Sequence, residues 1–139
     1  MTGPNTVTGR LRSSRGFTII ELMLVITIVV TLATIAMVQY RQSVQLAREA
    51  VLKDDLFKLR DAIDQYYADK NQYPPSLDDL VSAGYIRAMP KDPITNSTST
   101  WQAVPAEPEA GNPSITPGVY DVKSGAEQQA MDGTRYSDW

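Results

Sequence analysis

Residues 17–38, FTIIELMLVITIVVTLATIAMV, form an apolar run that contains a single ionisable side chain, Glu21. At about 1.5 Å of helix rise per residue the run spans roughly 33 Å, enough to cross the ~30 Å hydrocarbon layer of a bilayer. A helix apolar on every side otherwise belongs in the interior of a large protein. The remaining chain, about 100 residues, is too small to wrap it. The run is therefore expected to lie in a membrane. Arg10, Arg12 and Arg15 precede it and no acid does, which predicts a cytoplasmic N-terminus and places 39–139 on the far side.

A cleavable secretory signal also pairs a basic start with an apolar stretch. Its apolar core is shorter, about 7–15 residues, and its small-residue cleavage site follows that core. Here the small residue, Gly16, comes before the run. The segment is expected to be kept in the mature protein.

Charge and composition exclude several functions. With three of its 13 basic side chains ahead of the run, the rest of the chain carries 10 against 16 acidic ones. That balance is a poor match for bare nucleic acid, which wants a basic face. The chain has no Cys and no His, so thiol catalysis, Ser-His-Asp chemistry and Cys/His zinc sites are not available to it.

Glu21 needs an explanation, because a carboxylate in hydrocarbon costs several kcal/mol unless neutralised or paired. It could lie shallow enough to reach the headgroups, or stay protonated. Alternatively, a cut between Gly16 and Phe17 would give Phe17 a charged α-amine. Glu21 could then pair with that amine four residues back, or with the amine of a neighbouring subunit.

The string Arg15-Gly16-Phe17-Thr18-Ile19-Ile20-Glu21-Leu22 resembles the prepilin-peptidase signature of type IV pilins and pseudopilins. The resemblance implies cleavage after Gly16, N-methylation of Phe17 by the prepilin peptidase, and a role for Glu21 in docking subunits. It divides the chain into a leader, 1–16, a transmembrane and filament-core helix, 17–38, and a periplasmic domain, 39–139. Val30 and Val38 depart from the pattern, since relatives commonly carry Gly and a helix-bending Pro there. Gly and Pro are the weak points of helices, so this anchor either stays straighter or melts elsewhere. The likeness continues through 47–93 and the tail PGVYDVKSG, 117–125, both similar to the major pseudopilins of type II secretion systems. It does not extend to about 96–116.

From Leu52 the pattern becomes amphipathic. Leu52, Leu56, Leu59, Ile63 and Tyr66 recur at spacings of 4, 3, 4 and 3, one face of an α-helix. No Pro or Gly interrupts 17–70, which predicts one helix of roughly 50–55 residues. Asn71 and Pro74-Pro75 should end it. Ser76 is placed to cap a short second helix, with Asp78 and Asp79 in its first turn and Gly84 just past its end. Strands are expected at 100–104 and 119–122, joined by the loop AEPEAGNPSITPG. Tyr66, Tyr67, Tyr73, Tyr85 and Trp101 are expected in the core or at its rim. The fold class is α+β, a type IV pilin-like fold: one long N-terminal helix, with a small antiparallel sheet and an irregular C-terminal loop packed on it.

No enzyme site emerges. Asp54-Asp55 and Asp78-Asp79 are adjacent pairs, which on a helix point about 100° apart. They read as surface charge and capping. In the tail, Ser124, Glu127, Asp132, Ser137 and Asp138 supply hard oxygens, with Gly125 and Gly133 to permit tight turns. Resemblance to major pseudopilins implies one structural calcium ion in this loop, with Ser124, Glu127, Asp132 and Asp138 as its donors. The loop departs from the family: Glu127-Gln128 follows Ser124-Gly125-Ala126 where an Asp-Gly is usual, and only Asp138 stands before Trp139.

The family implies a subunit that polymerises with itself into a periplasm-spanning filament and drives protein export. It also implies a prepilin peptidase, an inner-membrane assembly platform with its ATPase, and minor pseudopilins as partners, with no nucleic acid. Two other functions fit the residues less well. One is a type IV pilus subunit, disfavoured by the missing Cys pair and the YDVKSG tail. The other is a bitopic membrane protein with a ligand-binding or enzymatic outer domain.

Overall fold

The computed structural model describes residues 1–3, 16–107 and 117–139. The leader arginines Arg10, Arg12 and Arg15 and most of the expected loop AEPEAGNPSITPG lie outside the described residues. Contacts divide the chain into two units, Met1–Gln39 and Tyr40–Trp139.

Helix α1 runs from Ile19 to Lys70, 52 residues, within the expected length. Val30 and Val38 both lie inside it, and it is unbroken at either position. In the first unit its apolar side chains are not covered by any of the described residues: all of 19–39 is exposed, Ile20, Leu24 and Leu32 among them. The threonines of this stretch turn inward on their own backbone. Thr27 donates its hydroxyl to the Met23 carbonyl at 2.8 Å, Thr31 to Thr27 at 2.7 Å and Thr34 to Thr31 at 2.7 Å. Such back-bonding satisfies a hydroxyl where no water can.

In the second unit the same helix carries a core. Leu52, Leu56, Leu59, Ile63 and Tyr66 are all buried, at the positions given by the 4-3-4-3 spacing. They cluster with Leu80, Trp101, Val119, Val122, Ala126, Ala130 and Tyr136. Each buried Leu or Ile contributes about 1.5–3 kcal/mol of transfer free energy. Asn71, at φ 54°, ends the helix in the left-handed region that Asn tolerates. Helix α2, Leu77–Ser82, starts as expected at Ser76. The Asp79 carboxylate accepts from the Ser76 N–H at 2.9 Å and from its hydroxyl at 2.7 Å. Gly84 follows the helix at φ 83°.

Strands β1, Gln102–Pro105, and β2, Val119–Lys123, pair antiparallel as the two strands of one sheet. This is the arrangement that the type IV pilin-like resemblance implied. β1 starts two residues later than the spacing suggested. Thr100 and Trp101 are held by the preceding loop instead of the ladder: Thr100 Oγ1 lies 2.6 Å from Thr95 Oγ1, and Trp101 donates its indole N–H to the Pro90 carbonyl at 2.8 Å. At the other end Pro105 is tolerated beyond an irregularity in register between Val104 and Pro105. Arg60 fastens β2 to the helix. Its Nε donates to Asp121 at 2.7 Å and its Nη2 to the Val122 carbonyl at 3.0 Å. Of the five aromatics expected at the core, Tyr66 and Trp101 are buried, Tyr73 and Tyr85 are half-buried, and Tyr67 is 40% exposed.

Candidate functional site

The start of α1 is built by a threonine cap. Thr18 Oγ1 accepts from the Glu21 N–H at 3.3 Å, and the Thr18 carbonyl accepts from the Leu22 N–H at 3.1 Å. Glu21 therefore sits in the first helical turn, where the unpaired N–H groups favour a negative charge. Its carboxylate is exposed and has no side-chain partner among the described residues. Phe17 is 83% exposed, and no atom lies within 4 Å of a Cβ placed at Gly16. Gly16 and Phe17 are thus exposed among the described residues, and the cap engages the Glu21 backbone N–H while leaving its carboxylate unpaired there. Thr18-x-x-Glu21 has the spacing of a capping box, a helix-start signal legible in the sequence.

The four proposed calcium donors are placed differently from one another. Ser124 is fully buried. Its hydroxyl donates to Asp92 Oδ2 at 2.6 Å and accepts from the Ala126 N–H at 3.1 Å. Asp132 is exposed and accepts from the Thr134 N–H at 2.9 Å and hydroxyl at 2.6 Å, bonds that hold its carboxyl below the usual range. Glu127 is exposed, and Asp138 ends a single 3₁₀ turn, Tyr136–Asp138. Among the described residues no three His, Cys, Asp or Glu side chains gather as metal ligands. As placed, the Ser124 hydroxyl is engaged with Asp92 and Ala126, and the tail acids belong to no cluster of three among the described residues.

The tail is held by the protein itself. Glu49, on α1, is buried, and its Oε1 accepts from the Met131 N–H at 2.9 Å, from the Tyr136 hydroxyl at 2.8 Å and from Gln45 Nε2 at 3.4 Å. Desolvation first, then the bond to Glu49, pushes the Tyr136 hydroxyl above its ordinary pKa. Tyr136 meets Trp139 edge to face at 5.1 Å, and the Lys53 ammonium lies 4.3 Å from the centre of the Trp139 ring. Asp92, fully buried, organises the neighbouring loop by accepting from Ile94 N–H at 2.8 Å and Thr95 N–H at 3.2 Å. Neither carboxylate is conspicuous in the sequence by residue type alone. Glu49 had a signal: it lies three residues before Leu52, on the same helical face as the core.

The acidic pairs do not converge. Asp54 pairs with Lys58 at 2.5 Å on the exposed surface, and Asp79 serves the α2 cap.

Comparison with known proteins adds to this geometry. The family model for the prokaryotic N-terminal methylation motif matches residues 11–37. A type II secretion system core protein G from Klebsiella pneumoniae is 33% identical over 99 residues, 60% of this chain and 71% of that protein. The core protein G of Aeromonas hydrophila is 32% identical over 101 residues, 61% of this chain and 71% of the relative. That of Escherichia coli K12 is 32% identical over 98 residues, 59% of this chain and 68% of the relative. No solved structure matches.

Proposed function

The chain belongs to the family of the type II secretion system core protein G, the major pseudopilins, and on that premise we propose that it is the repeating subunit of a pseudopilus that drives protein export. The observation that carries this is the open Gly16–Phe17 bond four residues before an unpartnered Glu21, at the head of an apolar span of which nothing is buried.

Cleavage after Gly16 removes 1–16 and leaves Phe17 with a free, methylated amine. The amine and Glu21 are tolerable at a membrane surface but costly inside a bundle of apolar helices unless they meet. Pairing the amine of one subunit with Glu21 of the next satisfies both and sets the axial step. Each subunit contacts the next through a surface that does not close on itself, so an open helical filament grows. An ATPase on an inner-membrane platform supplies the work of extracting each anchor. Minor pseudopilins complete the fibre, and residues 39–139 face the periplasm. The role is structural, with no catalysis in the chain itself. The family resemblance alone implies a calcium ion in the tail; with no acid cluster gathered there among the described residues, the tail is read as held by its own hydrogen bonds.

The test is the mature N-terminus and the filament. Mass spectrometry should find N-methylated Phe17 as the first residue, and Glu21→Ala should be processed normally yet fail to polymerise. A mature chain beginning elsewhere, or normal fibres from Glu21→Ala, would overturn the proposal.

A further inference from the structure

At the start of the second unit lies a groove of about 610 Å³, with Arg41, Gln45 and Arg48 on one wall and Gln128, Gln129 and Tyr136 on another. No carboxylate lines it. Both arginines are exposed, and neither forms an ion pair among the described residues. Seven residues apart on a helix, they fall within roughly 20° of one another, two turns along one face. The carboxylate nearest in sequence, Glu49, is buried with its Oε1 already held by Met131, Tyr136 and Gln45. The groove is thus an uncompensated pair of guanidinium groups over neutral amides.

Their position in the chain is also informative. Arg41 comes three residues after the apolar run ends at Val38, a helix rise of roughly 4.5 Å. That depth is the polar layer flanking the hydrocarbon; Arg48 lies roughly 10.5 Å farther along the helix, and its flexible stem can turn back toward that layer. Basic residues on the non-cytoplasmic side run against the charge bias that orients a membrane helix. After the leader is removed, only the Phe17 amine opposes them.

We infer that Arg41 and Arg48 grip the phosphate of an anionic phospholipid headgroup in the outward-facing leaflet. The inference rests on the membrane-anchored reading above. Guanidinium forks match phosphate oxygens in pairs, and the groove has the volume of a small-ligand site. The headgroup holds the waiting subunit at a fixed depth and rotation, and extraction into the fibre must release it.

The test uses the full-length chain. Native mass spectrometry in detergent measures retention of phosphatidylglycerol against phosphatidylcholine for the unaltered chain, for Arg41→Gln/Arg48→Gln, and for Arg87→Gln/Lys91→Gln as a charge-matched control. Flotation with phosphatidylcholine vesicles measures anchoring separately. The expected preference is roughly 30-fold, the product of a five- to six-fold preference per arginine. It should fall to near parity in the Arg41/Arg48 variant and persist in the control, with flotation unchanged in all three. The inference fails alone if flotation is normal but the preference survives in the Arg41/Arg48 variant, or is lost equally in the control. It also fails if excess inorganic phosphate displaces the lipid completely, which would mark a free-anion site. A chain that floats with no vesicle overturns this inference and the anchored reading together.

Discussion

Glu21 and Glu49 stand on one helix and show what separates its two stretches. Glu49 is buried and has three donors from its own chain, Met131, Tyr136 and Gln45. Glu21 is exposed, with no side-chain partner among the described residues. The hydrophobic residues around them divide the same way. Leu52, Leu56 and Leu59 are covered by the protein's own sheet and tail, while Leu22, Leu24 and Leu32 are exposed. Helix propensity does not distinguish the stretches, since both are helical. The pattern does: polar residues on one face let a stretch be finished by its own chain, and apolar residues on every face leave it to be finished by lipid or by other copies.

The largest effect should come from Glu21→Ala. Leaving a buried amine without its partner costs about 3–5 kcal/mol, so filament yield and secretion should drop by a hundredfold or more while the second unit melts as before. Altered melting would show that the two carboxylates are not independent. Next, Leu59→Ala should cost about 2–5 kcal/mol in the unfolding of the soluble fragment 42–139. Leu32→Ala in the full-length chain should shift its unfolding by less than about 0.5 kcal/mol. Equal effects would erase the distinction between the stretches. Glu49→Ala strands the Met131 N–H and the Tyr136 hydroxyl, at about 1–3 kcal/mol, and limited proteolysis should then cut the tail near residue 131 first.

A smaller change tests the solvent face. Burial, chiefly, holds the Asp55 carboxyl above its usual pKa, despite Lys58 beside it. A raised carboxylate pKa means the folded state binds the proton more tightly, so stability falls as pH rises through that value. Asp55→Asn should therefore stabilise at neutral pH, by no more than a few tenths of a kcal/mol after solvent screening. The gain should disappear as pH drops below the unfolded carboxyl pKa of about 3.9. The smallest expected effect is that of calcium. With Ser124 committed to Asp92 and Asp132 to Thr134, melting curves of 42–139 with calcium and with chelator should coincide within about 1 °C. A rise of several degrees would restore the ion to the tail.

The sequence was most readable where one residue type decides the outcome. The 4-3-4-3 spacing named the buried face of α1, the lack of Gly and Pro gave its length, and Ser76 with Asp79 marked the start of α2. Partnerships between distant residues were not readable. Nothing local to Glu49 announces a backbone N–H 82 residues away, and nothing beside Asp92 announces its bond to Ser124, 32 residues on. Ser124 stood out because its hydroxyl is a hard oxygen, and only the folded chain shows that hydroxyl donating to a buried aspartate. Glu21 was legible for the opposite reason. Among the described residues its carboxylate has no side-chain partner, so there was no tertiary contact to miss.

The inward-turned threonines have a mechanical consequence. Thr27, Thr31 and Thr34 keep their hydroxyls on their own backbone, so the flank of the rod offers a neighbour no polar snag. Any neighbour packed against that flank would therefore meet methyl and methylene groups there, with the hydroxyls already satisfied within the helix.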